Sequence, residues 1–453
     1  ALPAWISIVA LSILLAFAFF LPSRTASGKL FKKEAMCIVG TGWVLASLLG
    51  TVPYVMILDV SFADAFFESS SGLTTTGASV FGDFSDFPRS LMFWRCLSHW
   101  IGGLGVVMFF VAILSFLGSD GRILYSRETS ADSGGGVETE RIQSIALKII
   151  GLYLSISAIC AISFKLCSMT WYDAICHMFS TVSTGGFSVY ENSISHYDNL
   201  AVYWVVALFM FIGGVGFSTI IFLASGKFHR AMQNTELKVY VGILLLSGFS
   251  MAIFVYADPD NSKTLWETIT HSIFNSVSIM TTTGFMSEDY QKWPPITHSV
   301  FLALMIIGGC SGSTSGGIKV SRLILAYALC KNHLEKSFRP RVVRPVKING
   351  KIVGEKEAAD ALSYIVMYSL IALASIQILS FLEPNLKLSE SISATLTLIG
   401  NAGPGFDRVG PAENYGFMNG ASKIFLGVLM IMGRLEFYAI LALFMPSLWK
   451  KFQ

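Results

Sequence analysis

"SSGLTTTGASVF" occupies Ser70 to Phe81. Three variants follow: "STVSTGGFSVY" at Ser180 to Tyr190, "SIMTTTGF" at Ser278 to Phe285, and "TLIGNAGPGF" at Thr397 to Phe406. With Gly77, Gly186, Gly284 and Gly403 in register, a phenylalanine stands ten residues upstream of two of them (Phe67, Phe274). An acid stands thirteen residues upstream of three (Asp64, Asp173, Glu390). "DAFFESSSGLTTTGASVF" lies over "DAICHMFSTVSTGGFSVY" without a gap. One plan is written four times.

The medium around these copies is apolar. Of 453 residues, 53% are hydrophobic and only 13% charged, and the mean hydropathy of +0.62 is far above that of a soluble domain. Apolar runs near 4–22, 36–58, 91–117, 143–167, 200–225, 236–256, 297–330, 361–382 and 421–445 are long enough to cross a hydrocarbon core of about 30 Å. Continuous runs exclude the alternating strands of about ten residues that a membrane barrel uses. The first run lacks the basic leader and small-residue cleavage site of a signal peptide and reads as a true span. The chain starts at Ala1, so further residues upstream are expected. Seven cysteines show no ligand spacing and read as small apolar packing residues.

Each copy reads as an outer helix, a stretch of about ten residues too short to span, a turn at the glycine, and a second helix. The expected fold is therefore an all-α integral membrane protein of four helix–pore-loop–helix repeats in a pseudo-fourfold ring around an ion pore, with at least one extra N-terminal helix. The expected segments are the N-terminal helix and basic linker (1–35), repeat 1 (36–117), a cytoplasmic linker (118–142) and repeat 2 (143–225). Repeat 3 with a broken inner helix (226–330), a basic cytoplasmic linker (331–360) and repeat 4 (361–453) follow. The basic loops "PSRTASGKLFKK", "SGKFHR" and 331–357, the last with eight Lys/Arg against three Glu, are expected in the cytoplasm. The segment 168–199 carries Asp173, Glu191 and Asp198 with no Lys or Arg, so the glycine turns are expected to open to an outer, acidic mouth that gathers cations.

Irregular backbone at membrane depth is tolerated where it is buried in protein or lines a watery cavity. A dehydrated cation needs oxygens in place of water, and backbone carbonyls supply them without full charge. Glycine permits the dihedrals that turn carbonyls inward, and the preceding threonines add oxygens or brace the loop. A single copy would read as a helix C-cap. Four matched copies read as a coordination device, composed of Thr75, Thr76 and Gly77; Thr184, Gly185 and Gly186; Thr282, Thr283 and Gly284; and Asn401, Ala402 and Gly403.

These motifs, with "GGCSGSTSGGIKV" at 308–320 and "MGRLEF" at 432–437, resemble the Trk/Ktr/HKT superfamily of potassium transporters, most closely the Trk-type bacterial membrane subunit. The likeness covers the chain from about residue 36, and 1–22 resembles the last helix of the small extra domain of that branch. It implies a single chain folded like a potassium-channel tetramer, with potassium at a filter that has one key glycine per repeat. It also implies a bacterial inner-membrane location, a homodimer, and a cytosolic nucleotide-binding (NAD or ATP/ADP) gating ring as partner, with no cofactor in this chain. Gly77, which sodium-preferring relatives tend to replace with serine, favours potassium. The fourth copy departs from the threonine pattern.

Within Gly308 to Lys319, five glycines and four hydroxyl residues interrupt the third inner helix. Gly308, Gly309, Gly312, Ser313, Thr314, Ser315, Gly316, Gly317 and Lys319 read as a gating loop below the filter. A phosphate loop is excluded because Ile318 rather than lysine follows Gly317 and no strand precedes. "GGLG" at 102–105 and "GGVG" at 213–216 read as close-packing sites. Arg434, a charge inside the last span, reads as a pore-facing barrier or latch. Arg95 and His99 read as snorkelling or tying down a pore loop, with no transport role. The reading is a potassium pathway, the alternative a symporter coupled to protons or sodium through the same pore. A membrane enzyme is disfavoured, since no catalytic set appears at membrane depth.

Overall fold

A computed structural model describes residues 2–23, 32–116, 138–339, 347–348 and 351–446. The expected linker at 118–142 falls mostly outside the described residues, as do 24–31, 340–346, 349–350 and the C-terminal 447–453. The described chain is helical apart from the non-helical segments that join its helices and a hairpin of two two-residue strands, Lys347–Ile348 against Lys351–Ile352.

The four outer helices are Lys32–Leu58, Glu138–Leu166, Thr235–Tyr256 and Glu355–Leu382. Their apolar outward residues, such as Leu147, Leu246, Ile253 and Phe381, are exposed, as a lipid-facing surface requires. Leu2–Ser23 lies outside the repeats, touching them where Trp5 Nε1 donates to Ser90 Oγ at 3.2 Å.

The short helices are Phe62–Leu73, Trp171–Val182, Leu265–Met280 and Leu388–Ile399, of 12, 12, 16 and 12 residues. At about 1.5 Å per residue none crosses about 30 Å of hydrocarbon. Their starts explain the acids seen in the repeat. Ser61, Thr170 and Thr264 cap the first three, and Asp64, Asp173 and Glu267 three residues on return toward the cap. In the fourth helix Glu390 accepts the backbone N–H of Lys387 at 2.7 Å. The third helix is four residues longer, so its acid stands one turn earlier than the other three. Asp173 and Glu390 are accordingly buried capping groups. Of the three acids expected at a cation-gathering mouth, Glu191 and Asp198 are exposed and Asp173 is not.

The inner helices differ from one another. The first, Arg89–Phe116, is continuous. The second was expected as one span over 200–225 but turns by 111° between Leu200–Gly214 and Phe217–Ala224. The third divides into Pro295–Ile307 and Val320–Phe338, with 308–319 non-helical between them. Its second half continues eight residues past the expected repeat boundary at 330. The fourth, expected whole over 421–445, stops at Arg434 and resumes at Tyr438 after Glu436 and Phe437 take left-handed φ values of 53° and 65°. Among the described residues five helices are long and apolar enough to cross a membrane alone, and the bent pair makes a sixth. The third and fourth inner helices fall short because they are broken.

Each inner helix packs on the short helix of the following repeat, and the fourth packs on the short helix of the first. This contact order closes the four repeats into a ring.

Candidate functional site: the carbonyl ring and the loop beneath it

Each short helix ends at the ring centre, where its C-terminus carries roughly half a negative charge favourable to a cation. The next residues repeat one backbone conformation four times. Thr75, Thr184, Thr282 and Asn401 have φ of 52°, 55°, 57° and 55°, and the glycines two residues on, Gly77, Gly186, Gly284 and Gly403, have 82°, 83°, 82° and 91°. Three β-branched residues in the left-handed region, each costing on the order of 1–3 kcal/mol, persist only where the surroundings enforce them. A strand points successive carbonyls to opposite sides. Left-handed residues at alternate positions turn them toward one side instead.

The four turns close on one another. A Cβ on Gly77 would stand 2.1 Å from the carbonyl oxygen of Gly185, and one on Gly186 1.9 Å from that of Thr283. Gly284 would meet the oxygen of Ala402 at 2.4 Å and Gly403 that of Thr76 at 2.6 Å. Every key glycine therefore faces the carbonyl preceding the key glycine of another repeat, in the cyclic order 1, 2, 3, 4, 1. No side chain fits at any of the four without moving backbone.

Side chains brace this ring from behind, alike in repeats 1 and 3 and differently in repeats 2 and 4. Thr76 Oγ1 lies 2.7 Å from Thr74 Oγ1, and Thr283 Oγ1 lies 2.8 Å from Thr281 Oγ1. In the fourth repeat Asn401 Nδ2 donates to Thr76 Oγ1 and to the Met430 carbonyl, both at 2.9 Å. Thr184 Oγ1 reaches Thr314 Oγ1 at 3.3 Å, and Thr282 Oγ1 accepts the Gly316 N–H at 2.7 Å. Gly185 and Ala402 contribute backbone.

Nine residues before three of the four key glycines stands a second brace that sequence reading missed. Glu68, fully buried, pairs with Arg95 at 2.6 Å and accepts the Val80 N–H at 3.1 Å, tying its helix to the chain leaving the ring. His177 Nε2 meets Ser188 Oγ at 3.0 Å in the same way, and Asn275 Nδ2 donates to Ser287 Oγ at 3.3 Å. Ala394 takes the place in the fourth repeat, where Ser393 Oγ accepts the Phe406 N–H at 3.0 Å. The signal was a polar residue inside an apolar helix at fixed distance from the glycine. Arg95 is 2% exposed and donates to the Ser188 carbonyl at 3.0 Å, so it ties down the loop and does not snorkel. At the outer surface the Ser85 backbone N–H holds the Asp83 carboxyl below the usual carboxylate range.

Beneath the ring the four inner helices reach matched positions: His99-Trp-Ile-Gly-Gly103, Met210-Phe-Ile-Gly-Gly214, Met305-Ile-Ile-Gly-Gly309 and Met430-Ile-Met-Gly-Arg434. Gly102 and Gly433 let their helices seat on carbonyl oxygens of Leu73 and Ile399, which a Cβ would meet at 1.9 Å and 2.1 Å. Arg434 replaces a glycine found in the other three repeats. Its Nη1 donates to the Thr314 carbonyl at 2.7 Å, joining the last helix to the 308–319 loop. The loop also fills the bend of the second inner helix, where Phe217 N–H donates to the Gly312 carbonyl at 2.9 Å. Gly308, Gly312 and Gly317 are left-handed at φ 71°, 69° and 69°. Gly309 N–H donates to Ser315 Oγ, Ser313 Oγ lies 2.7 Å from that hydroxyl, and Lys319 Nζ donates to the Ser315 carbonyl. Glu236 Oε1 accepts the N–H groups of Ser311 at 2.6 Å and Ser321 at 3.1 Å. Glu436 pairs with Arg322 at 2.5 Å, not with Arg434. A small cavity between loop and last helix is lined by Ser315, Gly316, Lys319, Arg434 and Glu436.

Known proteins resemble the chain over nearly its whole length. The family model described as "TrkH: Cation transport protein" matches residues 6–255 and 241–451. The "Trk system potassium uptake protein TrkH" of Vibrio parahaemolyticus is 31% identical over 435 residues, covering 95% of this chain and 88% of that protein. The "Trk system potassium uptake protein TrkG" of Escherichia coli is 30% identical, covering 92% and 86%. Among solved structures, the "Crystal Structure of the Potassium Transporter TrkH from Vibrio parahaemolyticus" superposes with a TM-score of 0.88 at 29% identity, covering 98% of this chain and 92% of that one. The chain belongs to the TrkH cation transport family, a family of transporters rather than enzymes.

Proposed function

We propose that this chain takes up potassium across the cell membrane, passing dehydrated ions along the ring of carbonyls at Thr76, Gly185, Thr283 and Ala402 and past Gly77, Gly186, Gly284 and Gly403. The observation that carries the reading is the cyclic closure of the four left-handed glycines, each against a carbonyl of another repeat. Such a ring offers oxygens at one level without full charge, which suits a monovalent cation. The names of its relatives, Trk system potassium uptake proteins, support potassium as that cation.

Gly308 to Lys319 and Arg434 form the gate in this reading. The loop is pinned by Arg434, Glu236 and Lys319, and in this reading the Arg434 guanidinium stands on the route of a cation. The basic segment 331–357 that follows in the chain is where a cytosolic nucleotide-binding ring would dock on a homodimer in a bacterial inner membrane. Coupling to protons would call for a free carboxylate on the pathway. Glu436 and Glu68 are instead paired with Arg322 and Arg95, which supports a channel-like pathway.

The test is flux of potassium, rubidium, sodium and lithium into liposomes holding the purified chain, with and without an imposed pH or sodium gradient. Potassium and rubidium entry that follows only its own electrochemical gradient is expected. Uphill potassium movement driven by the second gradient would establish the symporter instead.

A further inference from the structure

His99 is the one polar residue at a level where the other three inner helices carry buried methionines, Met210, Met305 and Met430. It is fully buried, and a Cβ on Gly185 would stand 2.3 Å from its Nδ1, so the imidazole occupies the space a side chain at Gly185 would fill. The matched positions in repeats 1 and 3 are Thr76 and Thr283, whose hydroxyls are braced within their own loops. Repeat 2 has no side chain there, and glycine is the residue whose carbonyl swings most freely. The carbonyl in question belongs to the ring, since it is the one facing Gly77.

The imidazole supplies the missing brace. Nδ1 accepts a long hydrogen bond from the Phe187 N–H at 3.4 Å and lies 3.2 Å from Ser180 Oγ. The ring stacks on Phe187 with centroids 4.0 Å apart, and the Arg95 guanidinium covers the same phenyl at 3.5 Å. A backbone N–H can only donate, so in this contact Nδ1 acts as the acceptor, and a neutral imidazole then carries its proton on Nε2, a buried atom without a hydrogen-bond partner among the described residues. Methionine at this place would match the bulk and lose the acceptor.

We propose that His99 is a positioning residue of the second filter strand, its Nδ1 accepting the Phe187 N–H and so fixing the turn that presents the Gly185 carbonyl to the ring, thereby setting discrimination between potassium and sodium. The proposal rests on the filter reading above. Selectivity is its consequence because the balance between dehydrated potassium and sodium depends on the number and placement of carbonyl dipoles.

Reversal potentials of the purified full chain in planar bilayers under a potassium–sodium gradient test it, for the unaltered protein, His99→Met, His99→Asn and Ser180→Ala. Asparagine places an amide oxygen where Nδ1 stands. The potassium-to-sodium permeability ratio is expected to fall about ten-fold in His99→Met, to stay within about two-fold in His99→Asn, and to fall about two-fold in Ser180→Ala. An unchanged ratio in His99→Met overturns the proposal by reducing His99 to a space filler, and equal damage from methionine and asparagine overturns it because an acceptor at the Nδ1 place would then not suffice. If His99→Met yields no folded protein, an unchanged ratio in Ser180→Ala decides against it. An unaltered protein that does not prefer potassium would instead refute the filter reading itself.

Discussion

The carbonyl ring and the helix breaks beneath it show opposite relations between sequence and shape. In the ring, "TTTG", "STGG", "TTTG" and "GNAG" differ in side chains yet fall within a few degrees of one backbone conformation. Below it, three repeats share an identical Gly-Gly pair and the fourth differs only by arginine, yet one inner helix is continuous, one bends by 111°, one opens over residues 308–319, and one restarts after two left-handed residues. Symmetry survives where four backbones must touch each other's carbonyls. It is lost where a single inserted loop fills the space, because one segment cannot pack identically against three different helices. Under the proposed function, selectivity and gating reside in separate layers.

Substitutions should separate the layers. The largest effect is expected from Gly186→Ala, where the added methyl meets a carbonyl at 1.9 Å and the left-handed φ disfavours it. The potassium-to-sodium permeability ratio should fall more than about ten-fold. A ratio unchanged in bilayer recordings would mean the ring does not select. Glu68→Ala should leave Arg95 buried without its partner and destabilise the protein by about 3–5 kcal/mol, read as a lowered thermal midpoint in detergent. Arg434→Ala belongs to the other layer. It frees the loop at Thr314 and removes a charge from the path, so potassium flux without any cytosolic partner should rise several-fold, roughly three to ten, while the permeability ratio holds. A change in the ratio instead would join the two layers into one. Lys263→Ala, which cuts the half-exposed pair with Glu288, should shift stability by less than about 1 kcal/mol and leave both transport readouts alone.

The register of the ring was legible because backbone contact demands glycine, and that demand leaves a mark at Gly77, Gly186, Gly284 and Gly403 whatever surrounds them. The third-helix break was legible because five glycines in twelve residues cannot continue a helix. The bends at Val215–Gly216 and Glu436–Phe437 were not. The apolar composition of 200–225 hides the first, where the 308–319 loop, remote in sequence, fills the bend through Gly312, and no glycine or proline between Arg434 and Tyr438 marks the second. The acids thirteen residues upstream were visible, and their partners three residues earlier, Ser61, Thr170 and Lys387, identify them as helix-capping groups, among them Asp173, which was expected at the mouth. For His99 the sequence offered snorkelling or tying down a pore loop, while the role proposed above was out of reach because it depends on the absence of a side chain at Gly185, eighty-six residues away.

The central claim is that four carbonyls from four repeats form one cation site. Rubidium anomalous scattering from crystals of the chain grown in rubidium chloride tests it most directly. A peak enclosed by the carbonyl oxygens of Thr76, Gly185, Thr283 and Ala402 is predicted. No peak there, with rubidium bound elsewhere along the inner helices, would contradict the account.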